Sequence, residues 1–273
     1  MQPHGGPQQP ISLPRIKNLV AVASGKGGVG KSTVAVNLAL ALHHQGQQVG
    51  LMDADIYGPS VPIMMGLQGV NPQTATFPME RYGLRLMSMG FIVPPEQAVI
   101  WRGPMVHRAI TQFFTEIDWG ALDTLIIDLP PGTGDAQLTL TQTAPLSGAV
   151  IVTTPQDVSL IDARKGLAMF RQVNVPVLGI VENMSYFMGE DGKRYELFGH
   201  GGGHKLASEA GVPFLGDIPI DPKVAECGDS GDPIVHRYPD SAVSRAYLKL
   251  AETVSAELAR TRGKAVDLPT LKL

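Results

Sequence analysis

Gly25-Lys26-Gly27-Gly28-Val29-Gly30-Lys31-Ser32-Thr33 follows the apolar run Leu19-Val20-Ala21-Val22-Ala23 and leads into a helical pattern over Ser32–Gln45. The stretch satisfies the phosphate-loop pattern G-x-x-x-x-G-K-[ST] and carries a second lysine directly after its first glycine. Glycines let backbone N–H groups turn inward around phosphate oxygens, and the N-terminus of the next helix adds partial positive charge. Lys31 would reach the β- and γ-phosphates and the Ser32 hydroxyl would take a Mg²⁺ position. Gly25, Gly27, Gly28, Val29, Gly30 and Thr33 would complete the cradle. The plain alternative is a glycine-rich turn with no ligand. Strand, loop, lysine, hydroxyl and helix in one register favour a nucleoside triphosphate.

Working outward, short apolar runs alternate with helical patterns. Strands are expected at Leu19–Ala23, Gln48–Met52, Thr124–Ile127, Ala149–Thr153, Val177–Val181 and Phe214–Ile218. Helices are expected at Ser32–Gln45, Pro104–Ile117, Gln137–Thr143, Ser159–Val173, Gly203–Ala210 and Ser241–Arg262. Continuously apolar strands separated by helices imply an α/β, doubly wound, mostly parallel sheet covered on both faces, with ligands at the carboxyl ends of its strands. The phosphate loop, Asp53, Asp128 and Asn183 all fall at such ends. Arg81–Met89 alternates enough for an added strand or hairpin. In the last helix Val243, Tyr247, Leu250, Val254 and Leu258 form one core-facing stripe.

Two acidic segments stand where a Mg²⁺-nucleotide site needs them. Asp53 and Asp55 follow the second strand; Asp55 is the candidate for orienting an attacking water, and Asp53 for steadying the loop. Leu125-Ile126-Ile127-Asp128 reads as an apolar strand whose terminal carboxylate holds Mg²⁺, and Pro130-Pro131-Gly132-Thr133-Gly134 as a loop that reports the γ-phosphate. Helix caps and turns are the alternative roles for these aspartates. Lys26 adds more positive charge than one phosphate chain requires, so it either serves phosphates in a facing subunit or is a solvated surface lysine.

The chain has 273 residues, 44% hydrophobic and 17% charged, with net charge −3. That is ordinary globular composition, with no field to attract nucleic acid or anionic lipid. The single cysteine, Cys227, excludes an intramolecular disulfide framework and fits a reducing compartment. No apolar run is long enough to span a bilayer. The expectation is a cytoplasmic protein with no membrane or nucleic-acid partner. Residues 1–15 are expected to be a flexible lead-in, 16–262 the nucleotide-hydrolysing domain and 263–273 a tail.

The loop with its extra lysine resembles the deviant Walker A motif of the MinD/ParA and nitrogenase iron-protein superfamily. Asp53-Ala54-Asp55-Ile56-Tyr57-Gly58-Pro59-Ser60-Val61-Pro62, Trp101-Arg102-Gly103-Pro104-Met105 and Asp128–Asp135 resemble, within it, the Mrp/ApbC-type iron–sulfur cluster carrier ATPases. Glu182-Asn183-Met184-Ser185 and Phe198-Gly199-His200-Gly201-Gly202 extend the likeness from about Ile16 to about Val254. The resemblance implies a homodimer enclosing two ATP molecules with Mg²⁺, and Lys26 crossing the interface. It also implies a water-activating Asp55, adenine contact by Asn183, and closure over the base by the segment holding Pro219 and Asp221. Iron–sulfur client apoproteins or scaffold proteins are the implied partners.

One part departs from that pattern. The family's C-x-x-C pair falls shortly after the segment matching Glu182–Phe187, where this chain has Met188-Gly189-Glu190-Asp191-Gly192-Lys193-Arg194 and no cysteine. The stretch Gly189–Gly192 reads as a turn. Cys227 remains the lone candidate cluster thiolate, against the four a cluster ordinarily takes. His200 and His204 could bind metal, but read more simply as part of a glycine-rich helix entry. Two other readings stay open: a cluster-free nucleotide-gated switch that positions a protein partner, and a kinase or ligase acting on a small molecule.

Overall fold

The computed structural model describes residue 11 and residues 13–56, 58–69, 77–91 and 103–262. Tyr57, Trp101, Arg102, residues 1–10 and 12 of the lead-in, and the tail 263–273 lie outside the described residues. An eight-stranded sheet runs through the centre in the order β10-β7-β6-β1-β5-β2-β4-β3. Its strands are β1 (Ile16–Ser24), β2 (Val49–Asp53), β3 (Met79–Arg81), β4 (Leu84–Ser88), β5 (Leu122–Asp128), β6 (Gly148–Thr153), β7 (Val177–Glu182) and β10 (Phe214–Asp217). All neighbours pair in parallel except β3 with β4, an antiparallel edge hairpin. The α/β, mostly parallel architecture expected from the sequence is therefore the observed one.

The inner strands are apolar at nearly every position because both of their faces are covered. In β1, Val20 and Val22 belong to one core cluster while Leu19, Ala21 and Ala23 belong to the other. The first core packs the sheet against α1 (Lys31–His44) and α9 (Ala242–Arg262), through Val34, Leu38, Leu42, Tyr247, Leu250 and Val254. The second packs it against α3 (Gly103–Thr115), α4 (Asp135–Thr143), α5 (Asp157–Gln172) and α6 (Gly202–Ala210), with Phe113, Phe114, Leu140 and Phe170 among its members. Full burial of each such side chain contributes roughly 1.5–3 kcal/mol against chain entropy.

Pieces with weak sequence signals also appear. They are the short helices α2 (Val61–Met64) and α8 (Ile234–Arg237), the helix α7 (Pro222–Asp229), and a small hairpin of β8 (Phe187–Met188) and β9 (Arg194–Tyr195). The expected turn Gly189–Gly192 joins β8 to β9, closed by Gly189 N–H to Lys193 O at 2.9 Å. Among the described residues no helix is long and apolar enough to cross a membrane.

Candidate functional site

Parallel register brings the site's carboxylates together. Asp53 ends β2, Asp128 ends β5, and the two are register partners at the carboxyl edge. The loop Gly25–Gly30 leaves β1 beside them, and α1 begins at Lys31. Gly28 (φ 82°) and Gly30 (φ 78°) occupy the left-handed region, which non-glycine residues enter only with strain. A Cβ on Gly25 would sit 2.1 Å from the Asp162 carbonyl carbon, and one on Gly30 2.3 Å from Asn183 Nδ2. Cβ atoms on Gly27 or Gly28 would meet nothing within 4 Å. The loop is thus packed tightly at its ends and open along its middle.

The start of α1 is unsatisfied in the way an anion site requires. Gly30 provides no side-chain cap, and the first turn holds no acidic residue. Its leading N–H groups and the helix dipole favour a bound anion. Asn37, one turn further on, donates to Thr33 O at 2.9 Å and accepts from Val235 N–H at 3.2 Å, tying α1 to α8.

Beneath the loop lies a buried charge cluster. Lys31, 6% exposed, donates to Asp128 Oδ1 at 2.5 Å and to Ser32 Oγ at 3.1 Å. Asp128 is fully buried, and its Oδ2 has no hydrogen-bond partner among the described residues. Asp53, also fully buried, accepts from Asp55 N–H at 3.1 Å, Val61 N–H at 3.2 Å and the Ser88 hydroxyl at 2.9 Å. Burial, then the nearby charge of Asp128, push the Asp53 carboxyl up to about 7. Burial raises Asp128 as well, against the opposing pull of Lys31 and Ser32. Two buried carboxyls share one ammonium, and a divalent cation beside them would favour their charged forms. Asp55, 8% exposed, accepts from Gly58 N–H at 3.2 Å.

Lys26 is half-buried, and among the described residues its ammonium makes no ion pair; its carbonyl accepts from the Ser24 hydroxyl at 2.8 Å. The model of the ParA family, described as NUBPL iron-transfer P-loop NTPase, matches residues 15–255. The chain belongs to this family of P-loop NTPases. It is 54% identical over 256 residues to an iron–sulfur cluster carrier protein of Synechocystis, covering 90% of this chain and 72% of that one. Among solved structures, a nucleotide-binding protein of Archaeoglobus fulgidus in complex with ADP superposes with TM-score 0.71 at 41% identity, covering 82% of this chain and 89% of that chain. The cell division ATPase MinD of Pyrococcus furiosus shares the fold, with TM-score 0.66 at 22% identity over 88% of this chain and 99% of that one.

Within this family member, Asn183 follows β7 and its Nδ2 donates to Val29 O at 2.8 Å, clamping the phosphate loop from the far side. Pro219 is buried just after β10, and Asp221 caps α7 by accepting from Lys223 N–H at 2.9 Å. A residue that the sequence reading left without a role is Glu182. Its buried carboxylate accepts from the Ser185 hydroxyl and from Gly203 N–H, both at 2.6 Å, so one anion fixes the strand end carrying Asn183 and the start of α6. Only a strand-terminal glutamate facing a glycine-rich helix entry could have signalled it.

Cys227 lies in α7 with its side chain in the first core, 1% exposed, and burial pushes its thiol up. His200 pairs with Glu196 at 2.9 Å, while the His204 ring stands edge-on to Phe214. Among the described residues no three His, Cys, Asp or Glu side chains converge on a metal-sized site.

Proposed function

We propose that this chain is a Mg²⁺-dependent ATPase that acts as a homodimer in assembling iron–sulfur clusters or passing them to apoproteins. The observation that carries the reading is the buried Lys31–Asp128 pair beside the glycine loop, with Asp128 Oδ2 unpartnered among the described residues. Ser32 and Asp128 would hold Mg²⁺, which neutralises charge on the β- and γ-phosphate oxygens when bound. Lys31 then exchanges Asp128 for the phosphates, and Gly25 to Thr33 cradle them. Asp55 orients the attacking water, and Asp53 holds the loop that carries it. Lys26 serves the phosphates of the facing protomer. Asn183, with Nδ2 committed to Val29, keeps Oδ1 as an acceptor for the adenine amino group, and Pro219 and Asp221 flank the base.

The cluster is cargo in this scheme, a role supported by the carrier name of the Synechocystis relative. ATP closes the dimer, hydrolysis opens it, and the change alters affinity for the cargo or its client. A lone thiol fits a reducing compartment such as the cytoplasm. Burial of Cys227 favours a second form of the same reading, in which scaffold or client proteins hold the cluster and the nucleotide-gated dimer positions them.

Anaerobic reconstitution with iron and sulfide, counting both per dimer, separates the two forms. A stable cluster lost in Cys227→Ala means that the chain carries its cargo on that thiol. No cluster together with ATP hydrolysis means that a partner holds it. No hydrolysis by the reconstituted or the untreated protein overturns the ATPase reading.

A further inference from the structure

The buried stripe of α4 consists of Gln137, Leu140 and Thr141, and Ala144 just past the helix end continues it, at the i, i+3, i+4, i+7 spacing of a core-facing helix. Leu140 and Ala144 join the second core, and Thr141 satisfies its hydroxyl on Leu138 O at 2.8 Å. Gln137 breaks the pattern. It is 1% exposed, yet neither its Nε2 nor its Oε1 has a hydrogen-bond partner among the described residues. Leaving a buried amide unpaired is unfavourable, and any conformation that supplies a donor and an acceptor gains what this one lacks.

The place of Gln137 says where they come from. It lies in the first turn of α4, directly after the loop Pro130–Gly134 that leaves Asp128. That loop is tied to β1 through Leu129 N–H to Val22 O and Gly132 N–H to Ser24 O, both 3.0 Å, at the point where β1 becomes the phosphate loop. Gly132 turns it through φ 91°, and Pro131, Thr133 and Gly134 are exposed. Among the described residues, the Thr133 N–H and the Pro130 and Pro131 carbonyls enter no backbone–backbone hydrogen bond. A buried amide with no partner among the described residues therefore stands three residues after a loop that itself holds peptide groups free of backbone hydrogen bonds.

We propose that Gln137 is a positioning residue, whose amide pairs with the peptide groups of Pro130–Gly134 when nucleotide draws that loop inward, and so locks it in the hydrolytic arrangement. The proposal rests on the ATPase reading above. Gln137→Met keeps the side-chain length and removes both polar atoms. The nucleotide-free variant should melt at the wild-type temperature or above, since nothing paired is lost. The rise in melting temperature on adding Mg·ATP should shrink, and so should ATP-induced protection of residues 130–137 from hydrogen exchange. kcat should fall about 10- to 100-fold, with KM for ATP within about threefold of wild type. A purely structural role would instead lower the nucleotide-free melting temperature and leave the ATP-induced changes intact.

Gln137→Leu, differently shaped, guards against a packing artefact. If both variants are destabilised without nucleotide, the amide is already paired and the proposal falls. It also falls if Gln137→Met keeps the wild-type kcat and ATP-induced shift while Lys31→Ala is inactive. Wild-type hydrolysis by Lys31→Ala would overturn the ATPase reading itself.

Discussion

At the phosphate end of the sheet, Lys31, Asp53 and Asp128 are at most 6% exposed, and each is held by contacts from another element. The β8–β9 hairpin, where the family resemblance places a cysteine pair, is built the other way. Two register pairs hold it, Tyr195 is 44% exposed, and its ion pairs from Lys193 and Arg194 are solvent-facing. Charges buried among neighbours cannot be altered singly without leaving a partner uncompensated, whereas an exposed turn can be rewritten at little cost to the fold. The contrast fits a chain whose phosphate-loop pattern is intact and whose hairpin holds no cysteine.

Substitutions at the two ends should diverge accordingly. Lys31→Ala is the most severe. Hydrolysis should fall at least about 100-fold, as when one preorganised electrostatic group is removed from a reacting site. The nucleotide-free protein should lose about 3–5 kcal/mol in denaturant titrations at pH 8, because Asp128 stays buried without its cation. The loss should be smaller at pH 5, where the carboxyls can take up protons. Full activity together with wild-type stability would show that the pair is incidental.

Asp53 makes a pH-dependent contribution. Its folded-state value near 7 lies above the unfolded 3.8, so the folded chain binds the extra proton between them. This group's stabilisation is complete below about pH 4 and is lost as pH rises through about 7, a swing on the order of a few kcal/mol. Asp53→Asn should flatten that dependence in melts across pH 4–8; an unchanged profile would refute the assignment.

Asn183→Ala removes the clamp on Val29. Calorimetric titration with ADP should show about tenfold weaker binding, in line with a lost buried hydrogen bond; unchanged affinity would detach Asn183 from the loop. Smallest of all, Tyr195→Ala deletes the hairpin ring and its hydroxyl contact to Asp191 Oδ2 at 2.9 Å. Hydrolysis should stay within about twofold of wild type and the melting temperature within about 2 °C. A large loss of either would mean that the hairpin is not separable from the phosphate end.

Most of the sheet was legible because its strands are continuous apolar runs such as Leu125-Ile126-Ile127, which end in Asp128 at the edge where the chain must turn polar. The phosphate loop was legible because its chemistry is local. What escaped the sequence was short or long-range. Four residues in α2 or α8 are too few for a helical period, and α7 has only Cys227 fully buried. Nothing in the sequence joins Asp53 to Ser88, 35 residues away, or Glu182 to Gly203 N–H. Gln137 reads as an ordinary polar helix residue; only packing reveals that its amide is buried and has no partner among the described residues. Cys227 likewise gave no sign of whether it faces the core or solvent.

The most direct test of the central claim compares Asp55→Asn with the wild-type full chain, measuring phosphate release from Mg·ATP alongside ATP binding. If the buried cluster binds nucleotide and Asp55 directs the water, the variant should bind ATP within about threefold of wild type while turnover falls at least about 100-fold. Equal turnover in the two proteins would contradict the account.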